Sequence, residues 1–141
     1  MRKILPHTNV IPDGLFDPTV SGERNIRQRL TSIVQCATLA PSSHNTQCWK
    51  FVIDSENITI AIRPDLNRQC PVIDPDNHNV YATLGCAVEN IVVAARAYGL
   101  KADVNTSDLS KEGIGIWISF RECEVYKSDL FYAIPKRQCN R

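Results

Sequence analysis

Ala40-Pro41-Ser42-Ser43-His44-Asn45-Thr46-Gln47-Cys48-Trp49-Lys50-Phe51 is the stretch on which the reading of this chain turns. Most of its first nine residues carry small, hydroxyl-bearing or amide side chains. A helix-like run precedes them and a strand-like run begins at Trp49. Loops held at both ends by rigid elements are where binding groups collect, and this is the densest cluster of hydrogen-bonding side chains in the sequence. Ser42, Ser43, Asn45 and Gln47 both donate and accept, which suits a heteroaromatic edge of alternating carbonyls and ring nitrogens, with Trp49 closing the site by packing. The same residues also suit a plain helix-to-strand turn whose side chains satisfy its own backbone.

Upstream, Glu23 to Leu39 carries Ile26, Leu30, Ile33, Val34 and Ala37 at spacings of three and four, the one-sided stripe of an amphipathic helix. Ser21 or Gly22 is the expected cap, and Pro41 biases Ala40 out of helical geometry. Arg24, Arg27 and Arg29 fall mainly off the stripe and read as a solvated face. Residues 1–22, with three prolines and two glycines, read as an extended arm and not a core element. Leu15 and Phe16 are placed to dock that arm on the body or on a partner subunit.

Downstream, Trp49–Ile53 and Ile58–Ile62 are β-branched and aromatic runs joined by Asp54-Ser55-Glu56-Asn57, a hairpin with Ile58, Ile60 and Ile62 on one face. Arg63 to Asn79 is loop, ending in N-cap chemistry at Asp76 or Asn77. His78 to Tyr98 is the strongest helix, with Gly99 as its stop. Small residues surround most of it, so it is either a central core helix or a helix that meets a partner subunit. Lys101–Thr106 and Gly113–Phe120 form a second hairpin, and Ser128–Ile134 a short helix stopped by Pro135. Strands come in adjacent pairs, which favours an α+β layer with an antiparallel or mixed sheet on a long central helix over a doubly wound parallel sheet. Residues 1–22 and 23–141 are the expected arm and single folded unit.

Composition excludes several classes. The 141 residues suffice for one core, and 43% hydrophobic with 22% charged residues is ordinary for a soluble globular protein. A net charge of +1 gives no global pull towards nucleic acid or an anionic membrane. No signal-peptide pattern follows Met1-Arg2-Lys3, and no stretch reaches the roughly 18 apolar residues that span a bilayer, so a cytoplasmic location is expected. Cysteines 36, 48, 70, 86, 123 and 139 stand far apart without a C-x-x-C pair, so free thiols are expected and a metal site is not. Nucleophile-elbow, phosphate-loop and zinc-protease motifs are absent from the sequence.

Residues 40–51 resemble the A-P-S-x-x-N-x-Q-P-W-x-F signature of the nitroreductase family, with Cys48 where that family has proline. The H-N-T-Q form is similar to its Acg-like branch. Asp65 to Arg68 with Pro71 and Asp74-Pro75, Gly85-Cys86-Ala87, and the closing Arg137-Gln138-Cys139-Asn140-Arg141 agree with that branch. Gln138-Cys139 there replaces histidine and threonine. The likeness runs over residues 26–141 and corresponds to the N-terminal half of such proteins. It implies an FMN flavoprotein that passes hydride from NAD(P)H to nitroaromatic or quinone-like acceptors, the flavin carrying the chemistry. It further implies that Ser42, Ser43, Asn45 and Gln47 lie against the flavin ring, that Arg137 and Arg141 contact its phosphate or ring, and that a homodimer supplies the second half of the site. A member that binds flavin without efficient turnover, and a non-enzymatic interaction domain, are the alternatives.

Overall fold

The computed structural model describes residues 3–4, 14–16, 25–106 and 115–138. Along the chain run strand β1 (Lys3–Ile4), helix α1 (Ile26–Ala37), strands β2 (Trp49–Asp54) and β3 (Thr59–Pro64), helix α2 (His78–Ala97), strands β4 (Leu100–Asn105) and β5 (Ile116–Glu122), and helix α3 (Asp129–Ala133). The strands form one sheet in the order β1-β2-β3-β5-β4, antiparallel throughout. This is the expected α+β arrangement, with the antiparallel alternative realised. Both expected hairpins form, and β3 joins them by pairing Ile60 with Ile118 and Ile62 with Ile116.

Alternation puts Phe51, Ile53, Ile60, Ile62, Ile118 and Phe120 on the sheet's inner face, where all are buried. Leu30, Ile33, Val34 and Ala37 of α1 and Leu84, Ala87, Ile91, Ala94 and Ala95 of α2 fill the space against them. The hairpin turn is fixed by Asp54, whose Oδ1 accepts from the backbone N–H groups of Glu56 (3.1 Å) and Asn57 (3.2 Å).

Several sequence expectations need correction. α1 starts at Ile26, because Asn25 and Gln28 form a reciprocal capping box: Asn25 Oδ1 accepts from Gln28 N and Gln28 Oε1 from Asn25 N, each at 3.0 Å. Asn25, rather than Ser21 or Gly22, is therefore the cap. Arg29 is not a solvated residue, since its guanidinium holds the carboxyl end of α2 and the Glu122 carboxylate. Arg24 lies outside the described residues, and Arg27 is exposed as expected. The arm contributes to the core: Leu15 is buried, its carbonyl accepts from Tyr98 Oη, and Phe16 packs on Phe131 at 5.1 Å. Of the two docking options for Leu15 and Phe16, the body is realised.

Neither Asp76 nor Asn77 caps α2 with its side chain. Asn77 takes a left-handed backbone (φ 57°) with no side-chain cap bond. Asp74 does the capping from five residues upstream, its Oδ2 accepting from Asn79 N at 2.9 Å and Val80 N at 3.3 Å. A buried carboxylate at this end is stabilised by the free N–H groups and the helix dipole. Gly99 does end the helix, at φ +69°.

The 20-residue α2 is long and apolar enough to cross a bilayer, which corrects the expectation that no stretch qualifies. Here it is the central core helix, packed on α1, β3 and β4. One of its faces stays open, with Tyr81, Ala82, Gly85 and Glu89 exposed.

Candidate functional site

Residues 40–48 leave α1 as a tightly wound loop. A 3-10 turn covers Ser43–Asn45, with Asn45 N donating to Ser42 O (3.1 Å) and Thr46 N to Ser43 O (3.0 Å). Ser42 Oγ accepts from Gln47 N at 3.1 Å, closing the loop from inside. Ser43 N reaches Thr83 Oγ1 of α2 at 3.4 Å, and Ser43 Oγ lies 3.0 Å from His44 Nδ1.

His44, Asn45 and Gln47 all adopt positive φ, at 51°, 54° and 48°. None is glycine. A left-handed backbone costs a non-glycine residue on the order of 1 kcal/mol, least for asparagine. Three in four residues persist only because the surrounding bonds fix them, and such concentrations of strain occur at binding and catalytic loops. Ser42 is thereby committed to its own backbone, as the plain-turn reading requires. Asn45 differs: it is exposed, and its side chain has no hydrogen-bond partner among the described residues.

The loop forms one wall of a half-open cleft that encloses about 10 Å³. Ser43, His44 and Thr46 line that wall. Arg68, Gln69, Cys70, Ile73 and Asp74 line the opposite one, and Asn79 and Val80 at the start of α2 close the end. The far wall is organised by Asp65, which caps the 3-10 turn Leu66–Arg68 by accepting from Asn67 N at 3.3 Å and pairs with Lys50 Nζ at 2.9 Å. That hydrogen bond from Lys50, foremost, holds the Asp65 carboxyl below its ordinary value against the opposing effect of burial.

Of the described residues expected from the sequence to bind the cofactor, only Ser43 lines the cleft. Ser42, Asn45 and Gln47 belong to the same loop beside it. Arg137 comes to the neck of the loop, its Nε (3.2 Å) and Nη2 (3.0 Å) donating to Leu39 O. Arg141 lies outside the described residues. Trp49 corrects the expectation that it closes the site: it is fully buried and tilted against Phe51 at 6.2 Å, so it belongs to the core. The described cysteines 36, 48, 70, 86 and 123 are free thiols. Arg68 was missed as a site residue. The signal for it was an aspartate three positions before an arginine in a proline-punctuated loop, the spacing of one capped 3-10 turn.

Comparison with known proteins bears on this same region. Residues 18–75 match the family model described as "Putative TM nitroreductase". The span includes the strained loop, the β2–β3 hairpin and the Arg68 wall. Two proteins of Mycobacterium tuberculosis, from strains CDC 1551 / Oshkosh and ATCC 25618 / H37Rv, each carry the name "Putative NAD(P)H nitroreductase". Each is 32% identical over 117 residues, covering 81% of this chain and 33% of the relative. The chain thus spans about a third of the length of the curated relatives it matches. The resemblance to nitroreductases read in the sequence holds, it is partial, and the α+β fold with its antiparallel sheet is consistent with it.

Proposed function

We propose that this chain is an FMN-dependent oxidoreductase of nitroreductase type, taking hydride from NAD(P)H and passing it to nitroaromatic or quinone-like acceptors. The observation that carries this reading is the loop Ser42–Gln47: strained at three non-glycine positions, walling a cleft, and contained in the stretch that matches the nitroreductase model. FMN, when bound, supplies the electron chemistry itself. The chain's part is to bind and orient. The exposed amide of Asn45, with the polar groups of Ser42, Ser43 and Gln47, matches the alternating donors and acceptors of a flavin ring edge. Arg137 and Arg141 are the candidate cations for phosphate or ring.

The fit is good in chemistry and short in volume. Sites for cofactor-sized ligands enclose roughly 300–1,000 Å³ and bury most of the ligand, whereas this half-open cleft encloses about 10 Å³, room for about one water. A second copy of the chain is proposed to cover the cleft's open side. The open face of α2, where a side-chain carbon added at Gly85 would meet nothing within 4 Å, continues from the end of the cleft and is its candidate contact.

The same shortfall favours a second reading, flavin binding without efficient turnover. Visible absorbance of the purified chain after FMN addition and removal of excess tests both. A colourless protein overturns both readings. A yellow protein bleached anaerobically by NADH or NADPH supports the first, and one that stays yellow supports the second.

A further inference from the structure

The loop Ser42–Gln47 leaves α1 through a short neck, and a residue from the far end of the chain holds that neck. α1 ends at Ala37 with Thr38 as its cap. Leu39 N then donates to Cys36 O at 3.2 Å and Ala40 N to Ala37 O at 3.0 Å. Pro41 follows, with no N–H to give. The Leu39–Ala40 peptide is therefore the last before Pro41 that can be tied through both its polar groups. Its N–H goes to Ala37 O, and its carbonyl takes both Nε (3.2 Å) and Nη2 (3.0 Å) of Arg137.

Arg137 reaches this carbonyl from 98 positions away in the chain. The core fixes its approach. Phe131 of α3 is 2% exposed and Ile134 8%, and the 3-10 turn Ile134–Lys136, with Pro135 near its start, delivers the chain to Arg137. Two donors of one planar guanidinium on a single carbonyl define an orientation that the rotating donors of an ammonium do not. The loop beyond needs such definition. Its left-handed turns at His44, Asn45 and Gln47 persist only while the surroundings over-determine them.

We propose that Arg137 is a positioning residue, acting on the bound cofactor through the loop and not by contact with it. The proposal rests on the flavin reading above and narrows the part that this cation plays in it. Holding the Leu39 carbonyl sets where the loop starts, and hence where the side chains of Ser42, Ser43, Asn45 and Gln47 stand.

Hydrogen exchange of the ligand-free 141-residue chain gives the first readout. Arg137→Met is expected to speed exchange of the Ala40, Asn45, Thr46 and Gln47 amides about five- to tenfold. The Phe120 amide, which donates to Ile58 O at 3.1 Å in the sheet, should keep its rate. Flavin-fluorescence titration gives the second readout: affinities for FMN and riboflavin should fall together, by about the same factor. Arg137→Lys keeps the charge and loses the fork, so it should resemble Arg137→Met. Lys136→Met removes an exposed neighbouring cation and should match wild type. Loop exchange that is unchanged in Arg137→Met, or accelerated equally at Phe120, overturns the proposal. So does loss of FMN affinity without loss of riboflavin affinity, or rescue of FMN binding by Arg137→Lys, since a lysine serves a phosphate as a point charge. A chain that binds neither flavin overturns the functional reading instead, and the exchange rates then decide the positioning role by themselves.

Discussion

Arg29 and Glu122 meet in a two-pronged ion pair, Nη1 to Oε1 at 2.8 Å and Nη2 to Oε2 at 2.9 Å. The same guanidinium donates through Nε to Tyr98 O (2.8 Å) and through Nη2 to Gly99 O (2.9 Å). One side chain of α1 therefore ties off the carboxyl end of α2 and the end of β5. The two partners are unequal, since the Arg29 side chain is 18% exposed and that of Glu122 68%.

That inequality sets the first prediction. Arg29→Met removes donors from two carbonyls as well as the carboxylate, and is expected to cost about 2 kcal/mol. Glu122→Gln loses only a solvated ion pair and is expected to cost less than about 1 kcal/mol. Urea unfolding of both variants measures the difference.

Gly99 and Gly85 are expected to respond to alanine in opposite directions. At Gly99 the backbone is left-handed, and an added carbon would meet Val125 Cγ2 at 3.2 Å and Arg29 Nη2 and Cys123 O at 3.3 Å. Gly99→Ala should therefore destabilise by about 1 kcal/mol or more. Gly85 lies inside α2 facing open space, so Gly85→Ala should stabilise the monomer by about 0.5–1 kcal/mol through helix propensity. Thermal melts at low protein concentration read both signs.

Acid sensitivity is expected to track Asp65. Its folded pKa lies below the ordinary 3.8, chiefly through the Lys50 hydrogen bond. The resulting stability is fully present above the unfolded value of about 4 and is lost as pH falls through the lower folded value. Between pH 7 and pH 3, Asp65→Asn should therefore lose less stability than wild type while starting lower. Denaturant midpoints across that range give the comparison, and parallel curves would exclude Asp65 as a contributor.

Asn45 separates binding from folding. Asn45→Gly keeps the left-handed backbone accessible and deletes only the exposed amide, so stability should change by no more than about 1 kcal/mol. FMN affinity should fall about tenfold, the equivalent of one hydrogen bond. Flavin-fluorescence titration measures it, and unchanged affinity would remove Asn45 from the site.

Much of the architecture was legible because it rests on periodicity. The isoleucines at 60 and 62 and the stripe Leu30-Ile33-Val34 announce their elements through spacing alone. The pairing of β3 with β5 was not legible, since it joins segments with no sequence signal of adjacency. Local capping was misread where a longer reach won: Asp74 outcompetes Asp76 and Asn77 because its carboxylate meets two N–H groups of α2 at once. Arg29 looked solvated because a surface position on an isolated helix says nothing about the carbonyls another helix brings to it. At the site, the loop 42–47 was visible as chemistry, but its left-handed turns and the Arg68 wall depend on how the chain is wound.

The central pairing has a kinetic consequence. Ile62 and Ile116 are partners 54 positions apart in the chain, whereas every residue lining the cleft falls between Ser43 and Val80. Closing the longer loop carries the larger entropic cost and slows folding. The cleft's walls are therefore expected to take shape from shorter-range contacts before β5 pairs with β3, an order that φ-values at Ile62 and Ile118 would test.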